Sequence, residues 1–459
     1  MDPITTTLVG AGLCMSGFLY NRWRLQYWLS IVALLGLDVV EVSSFWAFRS
    51  RLKAQTGLLE VRIAGSIHAK GGVQVVIVIP GPPGFQGLRI RSEFYKPPGA
   101  REIEVGDESF DRRFFVEGPM RLVFTLLDKE ARRLLISVDT RVPRYGKPLE
   151  IVGGELRLQA EEEHLSTLLP VLLDIGQRFA QPVEAAERLA ENALRDPEAG
   201  VRLMNLLLLV RELPGDPTTL AVLRSARSDP SPEMRLRAAR ELGAEGHDVL
   251  VELAENPEDD DLSARAVSIL GRELPFERTK AILDHALRRR RLQTARACLE
   301  ALGGGGDEAA VGVLAKVMAR EQGELAAVAA QALGTAGSLA AEGPLIQALQ
   351  REQKDLRVAA ANALGRAGSP AAVLPLKEAA DRFSDDPDLS RATRQAIAEI
   401  QARLPGASPG QLSLAGAEAG QLSLAQAEAG QLSLATDPTG QLSLGDAGDT
   451  TREDTPGEA

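Results

Sequence analysis

Asp229-Pro230-Ser231-Pro232-Glu233-Met234-Arg235-Leu236-Arg237-Ala238-Ala239-Arg240-Glu241-Leu242-Gly243 is the stretch from which the fold is read. Asp ahead of Pro offers an N-cap acceptor and then a residue suited to the first helical turn. The paired alanines let neighbouring helices approach closely, and the leucines fill the seam between them. Gly after the last Leu suits the left-handed conformation that ends many helices. The ending recurs as Leu242-Gly243, Leu270-Gly271, Leu302-Gly303, Leu333-Gly334 and Leu364-Gly365, at spacings of 28, 32, 31 and 31 residues. The opening recurs at Asp196-Pro197, 33 residues before Asp229, and in altered form at Lys354-Asp355-Leu356-Arg357-Val358-Ala359-Ala360. Helical patterning on both sides of a near-constant period of about 30 predicts an α-solenoid over residues 185–404. Such a fold offers surface for holding a partner, so the chain is expected to bind rather than to catalyse.

These Asp-Pro openings, Arg- and Ala-rich helices and Leu-Gly endings resemble the short HEAT repeats of bacterial proteins, over about 220 residues and six or seven units. The resemblance implies a stacked-helix fold. In that family some members assist chromophore attachment and others recognise DNA or protein, so it implies no single activity.

A chain of 459 residues exceeds one core and suggests roughly three units. Apolar content of 44% and charged content of 25% are those of folded protein. The net charge is −11 and unevenly spread. Residues 405–459 carry eight acids against Arg452 alone, and the repeat region carries 34 acids against 29 bases. Duplex DNA binding needs a basic face, so no nucleic-acid partner is expected. Cys14 and Cys298 have no partner at metal spacing. His68, His164, His247 and His285 are scattered, so neither a zinc site nor any other cofactor is expected.

Ile4 to Tyr20 is an uncharged, mostly apolar run followed by Arg22 and Arg24. It predicts an N-terminal transmembrane helix, with residues 1–24 as a membrane anchor and the bulk of the chain cytoplasmic by the positive-inside rule. Cys14 follows Leu13 where a lipoprotein signal wants a small residue, which argues against lipidation. Residues 25–49 read as an amphipathic or interfacial helix and connection, or, continued to Phe48, as a second span.

Period-two alternation then predicts a small α+β domain over residues 50–160, joined by a connecting helix at 161–184. Leu59, Val61 and Ile63 share a face, as do Leu88 and Ile90, and Ile103 and Val105. Val75–Ile79 reads as a strand buried on both faces. Gly153-Gly154 reads as a two-residue hairpin turn, and 120–136 as one helix. Gly81–Gly87 lacks the following helix of a phosphate cradle and reads as a strand-joining loop. Phe110-Asp111-Arg112-Arg113-Phe114-Phe115-Val116 resembles an uncharacterised domain found beside membrane segments in bacterial proteins, which brings no assigned activity. Asp111 with Arg112 and Arg113 is its candidate polar site.

Two elements are candidate partner contacts. Arg288, Arg289, Arg290 and Arg291 form a basic run suited to an acidic partner or an anionic headgroup. Residues 405–459, collapsed to Gly, Ala, Ser, Gln and acids, are expected to be disordered. They repeat Gly-Gln-Leu-Ser-Leu four times, so Leu412, Leu414, Leu422 and Leu424 are candidate weak docking residues acting through multivalency. Glu258–Asp261 precedes a helix and suits its positive end. The chain is thus expected to be a membrane-anchored scaffold that binds a protein, its identity unknown, through the solenoid. The alternatives are a regulatory or ligand-binding α+β domain targeted by the solenoid, or binding of anionic lipid through Arg22, Arg24, Arg49, Arg51 and Lys53.

Overall fold

The computed structural model describes residues 3–45, 49–66, 72–96, 98–139, 149–403, 412–415 and 421–424. The chain divides into two units, Met1–Gly243 and Ala244–Ala459.

Unit 1 opens with one unbroken helix, α1 (Pro3–Leu34), and continues with β1 (Asp38–Phe45), β2 (Arg49–Thr56), β3 (Leu59–Ser66), β4 (Gly72–Val78) and β5 (Arg89–Ser92). Then follow α2 (Glu108–Asp111), β6 (Phe114–Glu117), α3 (Met120–Leu126), α4 (Lys129–Asp139), β7 (Glu150–Val152) and β8 (Glu155–Glu161). The eight strands form one sheet in the order β1-β2-β3-β4-β8-β7-β5-β6, antiparallel throughout. Register explains its two faces. Leu52, Ile63, Val75 and Leu158 lie opposite one another across β2, β3, β4 and β8 and are buried. The next row, Lys53, Arg62, Val76 and Arg157, faces the other way. Helix α5 (Leu165–Ala180) covers the apolar face, and a Cβ at its Gly176 would lie 3.0 Å from Leu59, so glycine permits the close approach.

Several expectations are corrected. Among the described residues no helix is long and apolar enough to cross a membrane, which overturns the transmembrane helix and the single-pass location. The physical reason lies in the second half of α1. Asn21, Arg24, Trp28, Ile31 and Val32 recur at helical spacing and are all buried. Arg24 donates from Nε to both carboxylate oxygens of Glu162 (3.0 and 3.1 Å), and its guanidinium stacks 5.2 Å from the Trp28 ring. Arg22 and Arg24 therefore do not flank a lipid-buried segment; the helix runs through them onto the sheet. The N-terminal region is a helix plus an eight-stranded sheet, not a membrane helix followed by a separate small α+β domain. The side chain of Cys14 lies outside the described residues.

The β4 run is buried on one face only, with Val73, Val75 and Ile77 covered and Val76 and Val78 half-buried. Ile103 and Val105 belong to no strand. The helix expected over 120–136 splits at Asp128, which accepts the Ala131 N–H (2.9 Å) and caps α4. Gly153 and Gly154, at φ 62° and 82°, form the turn between β7 and β8. Gly81–Gly87 leads through a short 3-10 turn into β5.

The first repeats of unit 1 are the helix pairs α6 (Ala185–Arg195)/α7 (Ala199–Glu212) and α8 (Pro217–Ala226)/α9 (Pro232–Leu242). Unit 2 continues with α10 (His247–Glu255)/α11 (Asp260–Leu270), α12 (Phe276–Arg289)/α13 (Leu292–Gly303), α14 (Glu308–Arg320)/α15 (Glu324–Ala336), α16 (Glu342–Leu349)/α17 (Lys354–Ala367) and α18 (Val373–Arg382)/α19 (Pro387–Ala402). In unit 2 each pair packs within itself, and α11, α13, α15, α17 and α19 stack in turn on one another.

The Leu-Gly pairs do two jobs. Gly271, at φ 48° and ψ −118°, ends α11 with the positive φ that favours glycine, but outside the left-handed helical conformation expected. Gly334 instead lies inside α15, where a Cβ would come within 2.6 Å of the Ala363 backbone on α17; there glycine sets the spacing of stacked helices. Arg-Asp clamps tie successive repeats together. Arg202 donates from Nε and Nη2 to the two oxygens of Asp229, each at 2.8 Å, and Arg357 donates from Nη2 to Asp386 at 3.2 Å. Each Asp precedes the second helix of the pair after the one that holds its Arg.

Cys298 on α13 is fully buried, and burial pushes its thiol up to about 12, against a smaller opposing pull from Arg291. A thiolate is the reactive form. In a Cys14→Ser background, Cys298 should therefore resist iodoacetamide at pH 8 in the native protein and react on unfolding. Rapid native labelling would contradict this packing of α13.

In the tail, β9 (Leu412–Ala415) and β10 (Gln421–Leu424) pair antiparallel, with Leu412 opposite Leu424, Ser413 opposite Ser423 and Leu414 opposite Leu422. The expectation of a wholly disordered tail is thus corrected at these two repeats, whose Leu-Ser-Leu alternation suits a strand. The rest of 404–459 lies outside the described residues.

Candidate protein-binding cleft

Helix α12 places Lys280, Asp284 and Leu287-Arg288 at spacings of four, so they share one face. Helix α14, one repeat later, places Ala309, Gly312-Val313, Lys316 and Arg320 on a face in the same way. Between the two faces lies a cleft of ≈ 680 Å³ with an apolar floor that includes Phe276, Leu287, Val313 and Val317. Lys280, Arg288, Lys316 and Arg320 surround it, against Asp284 and Glu321. A second hollow of ≈ 590 Å³ shares Leu287, Arg320 and Glu321, and it carries the groove round the α12–α13 turn past Arg290 and Arg296.

These helices gather several unpaired cations around one cleft. Arg296 is neutralised by Glu300 (2.9 Å) and Glu324 (3.1 Å). Lys280, Arg288, Arg290, Lys316 and Arg320 form no ion pair among the described residues. Arg290 is the one described non-glycine residue with positive φ, at 55°. The left-handed conformation costs an L-residue about 1 kcal/mol, which glycine would avoid. The basic run expected at 288–291 therefore separates. Arg288 and Arg290 line the groove and Arg289 is exposed. Arg291 turns back into the fold, donating to the Asn256 carbonyl (3.1 Å) and the Asp259 carbonyl (2.7 Å), so it is a clamp between repeats. Asp260, from the acidic run, accepts the Thr294 hydroxyl (2.7 Å) and the Thr294 N–H (2.9 Å). Lys280, Lys316 and Arg320 are residues that the sequence reading missed.

The other candidates resolve differently. Asp111 is half-buried and accepts the backbone N–H groups of Val105 (3.0 Å) and Gly106 (2.9 Å). Burial raises its pKa, and those two bonds only partly oppose the rise. Arg113 pairs with Asp139 at 3.4 Å, so the two residues serve separate contacts. Of the cations proposed for lipid, Arg24 is buried on Glu162 and Lys53 pairs with Glu60 at 2.9 Å. Leu412, Leu414, Leu422 and Leu424 come together through the β9–β10 pairing, and their side chains lie outside the described residues. Glu161, Glu163 and His164 bring three ligand atoms within 4.8 Å of one another, all on exposed or half-exposed residues of one turn. Unit 1 also holds an apolar cleft of ≈ 630 Å³ between α3 and α7, lined by residues that include Met120, Phe124, Met204 and Leu207.

Comparison with known proteins follows the architecture. Residues 313–398 match the HEAT repeats family, and the stacked helix pairs around them agree with that match. No curated protein matches the chain. Among solved structures, human deoxyhypusine hydroxylase in complex with glycerol is similar at 19% identity and a TM-score of 0.21, over 48% of this chain and 96% of that one. A likeness of that size supplies no argument about activity.

Proposed function

We propose that this protein is a binding scaffold rather than an enzyme, and that it holds an acidic segment of a partner protein in the cleft between α12 and α14. The observation that carries this reading is the set of unpaired cations around an apolar floor, in a chain whose net charge is −11. Elsewhere in the repeats, buried cations are matched by carboxylates, as Arg202 is by Asp229 and Arg357 by Asp386. Unmatched cations beside apolar surface recognise acidic side chains interleaved with apolar ones, and the charges steer the encounter. The Gly-Gln-Leu-Ser-Leu copies add weak contacts on the same chain.

Crosslinking in cells tests this, comparing the full chain with a version ending at Leu404. A partner held by both, with its acidic peptide joined to Lys280 or Lys316, is the expected result. A partner lost with the tail would assign binding to the Gly-Gln-Leu-Ser-Leu copies instead. No protein joined at either lysine would overturn the reading.

A further inference from the structure

The chain itself contains a segment with the chemistry that this cleft recognises. Residues 440–459 hold Asp446, Asp449, Glu453, Asp454 and Glu458 against Arg452 alone. The cleft presents Lys280, Arg288, Lys316 and Arg320, with Arg290 at its edge, against Asp284 and Glu321. Both lie in unit 2. We infer that the acidic C-terminal stretch is the resident occupant of the α12/α14 cleft, and that an outside acidic partner must displace it. This rests on the reading of the cleft as an acidic-segment site.

Reach permits it. Helix α19 ends at Ala402, three helix pairs beyond α12/α13. Stacked helices lie about 8–10 Å apart, so the span back to the cleft is on the order of 30 Å. Even as coil, the stretch from Leu404 to Ala459 covers on the order of 40 Å. A tether of that length holds its end near the cleft at roughly millimolar effective concentration, so a weak electrostatic contact suffices to fill it. The cleft has room at Gly312 on α14, where an added Cβ would meet nothing within 4 Å.

The test is zero-length carbodiimide coupling of the full chain, which joins lysine amines to carboxylates in contact. Lys280 and Lys316 should couple to acids of 440–459 at least tenfold more than exposed Lys377 on α18, which lies nearer in the chain to the tail. Mixed isotope-labelled and unlabelled protein should show the products within single chains. The yield should fall at least fivefold in Arg288→Ala/Arg320→Ala and in 0.5 M NaCl, and Gly312→Glu should lower it without disturbing the fold. Equal coupling at Lys377, or products only between chains, would overturn the inference. Its failure is separable from that of the proposed function. If the cleft binds a free acidic peptide equally well whether the tail acids are intact or neutralised to Asn and Gln, the site stands and the tail is not its occupant.

Discussion

Replacing Arg132 with methionine is expected to destabilise unit 1 by about 3–5 kcal/mol, the usual cost of removing one member of a buried ion network. Arg132 on α4 donates from Nε to Asp107 (2.9 Å), from Nη1 to the Leu127 carbonyl (2.9 Å) and from Nη2 to both oxygens of Asp196 (2.9 and 3.0 Å). Its own side chain is 2% exposed, and those of Asp107 and Asp196 are 11% and 1% exposed. Methionine fills the space but strands two buried carboxylates, and it is their desolvation that makes the change costly. Arg62, 50% exposed and also touching two carboxylates, is the contrast. Surface pairs contribute about 0–1 kcal/mol, so Arg62→Ala should be nearly silent. Urea unfolding followed by tryptophan fluorescence measures this, because Trp23, Trp28 and Trp46 all lie in unit 1.

The pH dependence has a definite sign. Burial opposes ionisation of Asp107, but the bonds from Arg132, Ser109 and the Phe110 N–H, with the Arg132 charge, outweigh it and hold the pKa below the usual carboxylate range. A depressed folded-state pKa contributes stability that is present above the unfolded value of about 3.9 and is lost as pH falls through the folded value. The gap between native protein and Arg132→Met should therefore narrow as pH falls below about 4. A midpoint shift at pH 7 no larger than that of Arg62→Ala would show that the network is not what ties α4 to the first repeat.

The same contrast between local pattern and burial partner explains what could be read from sequence. The solenoid is legible because its period is carried by residues that cap and stack helices, and both act within a few residues of their place in the chain. The N-terminus was misread because its apolar count to Tyr20 outweighed the stripe of Asn21, Arg24, Trp28 and Val32, whose partners, such as Glu162 for Arg24, lie far away in sequence. Leu333-Gly334 looks like Leu270-Gly271 until Ala363 is known to pack against it. The candidate site was half legible. The Arg288–Arg291 run stands out as charge, but nothing local separates Arg291, bound to carbonyls one repeat back, from Arg288 in the groove. A usable signal for the rest did exist. Lys280 and Lys316, and likewise Arg288 and Arg320, stand about one repeat apart on helices that the solenoid stacks as neighbours.

Reversing Arg288 and Arg320 together to glutamate, in a full chain whose tail acids are neutralised, should weaken binding of an acidic peptide such as 440–459 by roughly 30- to 1000-fold at low salt. Each cation faces solvent on one side, so each contact contributes about 0.5–1 kcal/mol rather than the several that an enclosed pair would give. Reversal replaces two attractions with two repulsions, for a total of about 2–4 kcal/mol, and each 1.4 kcal/mol is tenfold in affinity. Because the Debye length shrinks from about 10 Å at 0.1 M salt to about 3 Å at 1 M, the unreversed cleft should lose most of its affinity across that range, and the reversed one should change little. The fold is preserved on physical grounds, since neither arginine forms an ion pair among the described residues and Cys298 protection reports the packing of α13. Fluorescence anisotropy with labelled peptide gives the affinities. Lys377→Glu/Arg394→Glu makes the same change of net charge on exposed residues of α18 and α19, away from the groove. A loss confined to the α12/α14 pair would localise recognition to the cleft. An equal loss in both pairs would reduce the effect to overall charge and remove the cleft as the site.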